Sequence, residues 1–318
     1  MRILVLGAGA LGGYFGGRLL QAGAELGFLV RPRRAAQLAA DGLVIESPFG
    51  GLRRSVATVM EGAAAPGWDL ILLACKAYDL DAAIAAIRPA VDDRTAILPV
   101  LNGLSHIEAL QREFGAARVL GGLAKIQATL APDGTVLHLN DWRWLTFGEL
   151  DGTMSPRVGA LAALAGRAEG VIAEAVPDIL HRMWEKLVHL GTSAIGTVLL
   201  RANTGEIARS PGGAAFMHRL LDRNAAIAAA NGHPMRPEYI AEFRTLFADP
   251  KGMYATSMLR DLEAGGRIEA DHILGFLLAA ARRAGVPDEA HEAAYLHAKA
   301  FEQRRDAGRL PGTTMKNV

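Results

Sequence analysis

The chain has 318 residues, 51% of them hydrophobic and 21% charged, a balance that excludes a disordered chain and a length that predicts two domains. Its 34 lysines and arginines offset 33 aspartates and glutamates, so no overall field draws it to nucleic acid or an anionic membrane, and any anion site is local. A single cysteine, Cys75, excludes an internal disulfide and fits a reducing cytoplasm.

In chain order, residues 3–6 are a short, wholly apolar run that meets glycines at once, as in a parallel strand buried on both faces. Those glycines also interrupt the N-terminal apolar run too early for a secretory leader. A helix to Leu20 is predicted next, then strands at 26–30, 43–45, 55–59, 69–74 and 96–101, with helical periodicity over 79–87 and 105–114. This alternation predicts an α/β fold, a doubly wound parallel sheet of Rossmann type. Beyond Lys125 the pattern becomes antiparallel, in ATLAPDGTVLHL and WRWLTFGEL, with Pro132-Asp133-Gly134 as the turn. After Val176-Pro177 the strand signals stop, and only helices are predicted, ended by Gly232, Gly265-Gly266 and Gly285. The expected division is therefore a dinucleotide-binding domain, 1–176, and an all-helical catalytic domain, 177–318, with a polar tail from Leu310 to Val318 that frays. The most apolar later stretch, 187–200, is too short for a membrane span and carries His189, Thr192 and Ser193.

Gly7-Ala-Gly9-Ala10-Leu11-Gly12 is a GxGxxG set between a buried strand and a helix. Gly7 permits the tight turn, Gly9 lets the backbone approach a pyrophosphate, and Gly12 lets helix and strand pack closely; the N–H groups of Ala10 and Leu11 open a helix whose N-terminus favours phosphate. The plain alternative is a glycine loop with no ligand. NAD sites place a carboxylate at the end of the second strand, where it accepts from the ribose 2′-hydroxyl. Here that strand ends in Arg31, Arg33 and Arg34, and a guanidinium pairs with a 2′-phosphate, so the expected coenzyme is NADP, with Arg31 as first choice. A solvated basic loop is the competing reading. Lys76 and Asn102 follow the strands at 69–74 and 96–101, at the edge where open α/β sheets bind ligands; they could equally be a surface lysine and a turn asparagine. Cys75 reads as a small buried residue. His291-Glu-Ala-Ala-Tyr295 lacks the second histidine of a zinc helix, so no metal is expected.

Lys186 lies on the apolar segment MWEKLVHLGTSAIG. Desolvation lowers a lysine's pKa toward neutrality and suits it to protonate a carbonyl oxygen as hydride arrives at carbon; a lysine snorkelling to solvent is the structural alternative.

Together GAGALGG, the arginine after the second strand, CKAYD, LNGLSHIEAL, MWEKL, TSMLRDLEAG and EADHILGFLLAAARRAGVP resemble the ketopantoate reductases (2-dehydropantoate 2-reductases), in matching order over nearly the whole chain. The resemblance implies a Rossmann domain that binds NADPH, a helical domain that closes over it, and reduction of ketopantoate to pantoate for pantothenate biosynthesis. It assigns Lys186 as general acid, Asn102 as the asparagine beside nicotinamide and substrate, Lys76 as a cofactor-side lysine, and Ser257 and Glu269 as substrate ligands. It also implies a small-molecule 2-oxo acid as partner, without nucleic acid or membrane, and is compatible with a homodimer.

The chain departs from the family pattern at Leu190 and Ala194, where asparagines are usual, and in Asp222-Arg223-Asn224, where a glutamate is common. His189, Ser193 and Thr197 fall on the helix side of Lys186 and are the candidates to restore a polar lining, His189 and Ser193 as substrate contacts. A different 2-oxo acid or keto compound is therefore an alternative substrate. A non-catalytic dinucleotide sensor is the alternative from another class, since such a protein needs the glycines without Lys186.

Overall fold

The computed structural model describes residues 1–310; most of the polar tail, 311–318, lies outside the described residues. The described chain forms two compact units, one of Met1–Leu101 with His106–Met183 and one of Asn102–Ser105 with the residues from Trp184 onward. The expected division at Val176-Pro177 falls just before the helix within which the units part.

The first unit opens with β1 (Arg2–Leu6), α1 (Ala10–Gln21), β2 (Glu25–Val30) and α2 (Pro32–Asp41). β3 (Leu43–Glu46), β4 (Leu52–Arg54), β5 (Ala57–Met60), β6 (Leu70–Leu73), α3 (Leu80–Ile87), β7 (Ala96–Pro99) and α4 (Ser105–Phe114) follow. It ends with β8 (Leu120–Leu130), β9 (Val136–Glu149), α5 (Pro156–Ala165) and β10 (Ile172–Ala175). β5, β2, β1, β6 and β7 lie side by side in that order as a parallel sheet, so the winding reverses between β1 and β6, where open sheets bind ligands beyond the strands' carboxyl ends.

A second sheet runs β10-β9-β3-β4, with β8 paired antiparallel to β9. Its side chains Ile45, Val136, Leu145 and Phe147 join Phe15 and Phe28 in a continuous core. The predicted antiparallel pair is present but longer at its start. β8 begins at Leu120 and runs through Gly121 and Gly122; a Cβ on Gly122 would lie 2.5 Å from the Pro99 carbonyl oxygen, so only glycine allows β8 so close to β7. α2 was unread from the arginines, yet Pro32 at its first position fixes the φ that a helix start needs. α5 starts the same way at Pro156, with the Ser155 hydroxyl accepting from the Val158 N–H.

Among its described residues, the regular elements of the second unit are helices. α6 (Ile179–Leu200) is followed by α7 (Thr204–Arg209), α8 (Gly213–Ala230), α9 (Pro237–Ala248), α10 (Ser257–Glu263), α11 (Phe276–Ala284) and α12 (Glu289–Asp306), and a π-helical turn, Asp271–Gly275, runs directly into α11. The predicted stops hold: α8, α10 and α11 end just before Gly232, Gly265 and Gly285, all with positive φ.

A buried polar chain links α6 to α8 and, through Asn224, to α12. The Thr192 hydroxyl donates to the Val188 carbonyl (2.7 Å), Asn224 Nδ2 donates to Thr192 Oγ1 (2.9 Å), and the Asn224 Oδ1 is 2.9 Å from His291 Nε2. An amide oxygen only accepts, so His291 carries its proton on Nε2. Burial pushes its imidazole pKa down to about 4 from 6.5. The folded protein therefore holds His291 neutral, while the unfolded chain takes up a proton below pH ~6.5, so this contribution is intact above that pH and is lost as pH falls toward about 4. Its full size is on the order of 3 kcal/mol. Urea unfolding at pH 7 and pH 4.5 should show a midpoint drop in the wild type that is smaller in His291→Gln.

Candidate active site

In the first unit the candidate coenzyme-binding element is the β1–α1 turn. Gly7 has φ +91, and a Cβ on Gly12 would sit 2.0 Å from the Gly7 carbonyl oxygen, so both glycines are required by the chain's own geometry. Gly9 differs. A Cβ there would meet nothing within 4 Å, so the protein's packing does not demand glycine, and the open space suits close approach of a ligand to the backbone. No side chain caps α1 and its first turn has no acid, which leaves the N–H groups around Ala10 and Leu11 suited to phosphate.

The three arginines after β2 separate into different roles. Arg31 occupies the N-cap position of α2 and is exposed, its guanidinium 3.5 Å from the Asp79 carboxylate. Arg33 is also exposed. Arg34 turns back under the glycine turn, its Nε donating to the Ala8 carbonyl (2.9 Å), and burial pulls its guanidinium below the usual arginine range. Arg34 is thus a brace for the turn, a role the sequence did not reveal because it depends on α2 starting at Pro32. Lys76 is exposed just beyond β6 and precedes the short 3-10 turn Ala77–Asp79.

In the second unit the candidate residues gather on and around α6. Trp184 stacks on His233 (5.9 Å between ring centroids), and the buried Glu185 carboxylate takes two bonds from Arg236, at 2.7 and 3.1 Å. The Glu185 backbone carbonyl accepts from the Tyr239 hydroxyl. These anchors fix the helix rotation at Lys186. The ammonium is partly buried, and desolvation lowers its pKa from 10.5 to about 8, against the opposing pull of the Glu269 negative charge. Glu269 is only 6% exposed and lies two residues before the π-helical turn. Asn102 joins the same unit, and Gly103 (φ +85) presses the Asn102-Gly103 loop against that turn, where a Cβ would come 3.0 Å from the His272 carbonyl oxygen. Asn102, Lys186 and Glu269, far apart in sequence, thus belong to one unit. The π turn itself was not legible, since residues 269–284 read as one uninterrupted helix.

Ser257 is the first residue of α10, half-buried, and directly follows Thr256. The Thr256 hydroxyl accepts from the Leu259 N–H and pairs with Thr197 Oγ1 at 2.9 Å, tying the start of α10 to α6. His189 stacks on Phe243 (4.5 Å, 6° between planes), and its Nδ1 is 2.8 Å from Tyr239 Oη. Tyr239 spends its single proton on Glu185, so Nδ1 is the donor to Tyr239. Ser193 donates to the His189 carbonyl (2.9 Å). In the structure these three polar groups on the Lys186 side therefore make contacts to protein. Leu190 and Ala194 are buried at 8% and 0% exposure, and Asp222 is exposed with its carboxylate on Arg244 (2.5 Å). No cluster of potential metal ligands is found among the described residues, and none of their helices is long and apolar enough to cross a membrane.

Residues 3–152 match the ketopantoate reductase PanE/ApbA family and 178–302 match the C-terminal region of that family. An uncharacterized oxidoreductase of Bacillus subtilis, YkpB, is 33% identical over 96% of this chain and 100% of its own length. A 2-dehydropantoate 2-reductase of Archaeoglobus fulgidus is 28% identical over 90% of this chain and 92% of its own. The crystal structure of 2-dehydropantoate 2-reductase from Methylococcus capsulatus superposes with a TM-score of 0.85 at 29% identity, covering 96% of this chain and 98% of that one. Matched in order through both of its units, the chain belongs to the ketopantoate reductase PanE/ApbA family of oxidoreductases.

Proposed function

We propose that the protein reduces 2-dehydropantoate to pantoate with NADPH, a step toward pantothenate, in the cytoplasm. The observation that carries this reading is Lys186, an ammonium whose pKa is brought down to about 8 by desolvation while Glu269 opposes the fall. Such a group is protonated at neutral pH yet releases its proton easily, as a general acid must. The first unit fits the coenzyme through the open space at Gly9, the uncapped start of α1, and the exposed cations Arg31 and Lys76. When bound, the reduced nicotinamide supplies the hydride for the carbonyl carbon. Lys186 hydrogen-bonds the carbonyl oxygen, stabilises the alkoxide as charge develops, and passes its proton to that oxygen. Asn102, Ser257 and Glu269 orient the acid.

Reduction requires the protonated lysine, so its rate is full below pH ~8 and falls as pH rises through the Lys186 pKa. Glu269→Gln removes the charge that raises this pKa, so the fall should begin at lower pH in that variant. Lys186→Ala should bind NADPH nearly as the wild type while turnover drops by about 10² to 10⁴. A non-catalytic sensor predicts no turnover to lose, and undiminished activity in Lys186→Ala would remove the assignment.

A second reading is favoured by Leu190 and Ala194. Neither side chain can donate a hydrogen bond, so the same chemistry would serve a 2-oxo acid with an apolar substituent. An NADPH-oxidation assay across small 2-oxo acids separates the two: strong selectivity for ketopantoate supports the first, and comparable or better turnover of apolar 2-oxo acids supports the second.

A further inference from the structure

The pairing of Arg31 with Asp79 occupies a telling place in the sheet. Arg31 follows β2 and Asp79 ends the short turn after β6, and these two strands flank β1 on opposite sides. Adjacent strands lie ~4.8 Å apart, so the carboxyl ends of β2 and β6 are about 10 Å apart. The guanidinium and carboxylate, 3.5 Å from each other, bridge that span beyond the end of β1, where Gly7 begins the phosphate turn. The bridge therefore stands at the winding switch, where an open sheet takes its ligand. With 69% exposure of the Arg31 side chain and 27% of Asp79, it is a solvated ion pair that separates at little cost.

We infer that Asp79 is a specificity-determining residue for the coenzyme. It engages Arg31 in the coenzyme-free chain and limits the preference for a dinucleotide bearing a 2′-phosphate over one with a free 2′-hydroxyl. The inference rests on the proposed role of Arg31 as the 2′-phosphate ligand. A phosphomonoester carries a charge of about −1.5 to −2 at neutral pH and binds a guanidinium through two parallel hydrogen bonds, so it displaces the carboxylate from Arg31. Displacement does not carry Asp79 away. Its backbone N–H is bonded to the Lys76 carbonyl (2.9 Å), which holds the residue at the end of β6, and its charge then repels the phosphate that took its partner. A free ribose hydroxyl meets the opposite situation, because it donates a hydrogen bond that a carboxylate accepts. Asp79 thus supplies, from the far side of β1, the acidic group that NAD sites place at the end of the second strand, while Arg31 supplies the cation of NADP sites.

The test is titration of the full-length protein with NADPH and with NADH, followed by quenching of tryptophan fluorescence, for wild type, Asp79→Asn, Asp79→Ala and Arg31→Ala at one ionic strength. Both Asp79 variants should bind NADPH about two- to tenfold more tightly than wild type. Their NADH affinity should be unchanged or weaker, and their melting temperatures should match the wild type. Arg31→Ala should lose NADPH affinity. If the Asp79 variants bind NADPH no more tightly while Arg31→Ala has weakened, the inference is wrong and the Arg31 reading stands. If Arg31→Ala binds NADPH as the wild type does, both fall together.

Discussion

The proposed chemistry of this protein depends on one lysine ammonium kept partly out of water and opposed by the charge of one carboxylate. Desolvation lowers the Lys186 pKa, and the negative charge of Glu269 opposes that fall. The two effects leave a pKa of about 8, close to the pH at which a general acid is most useful. Much of the second unit maintains that balance. Trp184 on His233, Glu185 on Arg236 and the Thr192-Asn224-His291 chain fix the rotation and position of α6. The π-helical turn Asp271–Gly275 is tied to α12 by bonds from Tyr295 (2.7 Å) and Lys299 (3.0 Å) to Asp271, which secures the segment that carries Glu269.

The first unit follows a separate logic, in which backbone serves the ligand and side chains serve the backbone. Gly7 and Gly12 are set by steric need, whereas Gly9 leaves space the protein does not use. Arg34 holds the Ala8 carbonyl from below, and the arginine-carboxylate bridge of Arg31 and Asp79 lies beyond the end of β1. Leu190 and Ala194 lie four and eight positions after Lys186 on α6, buried and without a side-chain donor, so neither adds a charge to the balance at Lys186.

What could be read in advance follows from how local each signal is. β1, its glycine turn and α1 were legible because an apolar run, a steric turn and a helix start adjoin within 20 residues. The helical stops were legible for the same reason. β4 and β10 were not: they are short, incompletely buried strands whose pairing is decided by β3 and β9. Lys186 stood out as a charge on an apolar helix, but its partner Glu269 lies 83 positions away and was raised only by family resemblance. Asp79 was passed over and Arg34 was read only as a further coenzyme arginine, since a bridge across β1 and a brace on Ala8 exist only once sheet order and the start of α2 are known.

The most direct measurement is the titration of the Lys186 side chain by heteronuclear NMR in the coenzyme-free protein, its resonance identified by its loss in Lys186→Arg. The account predicts a pKa near 8 that falls further in Glu269→Gln. A value near the ordinary 10.5, insensitive to Glu269, would contradict it.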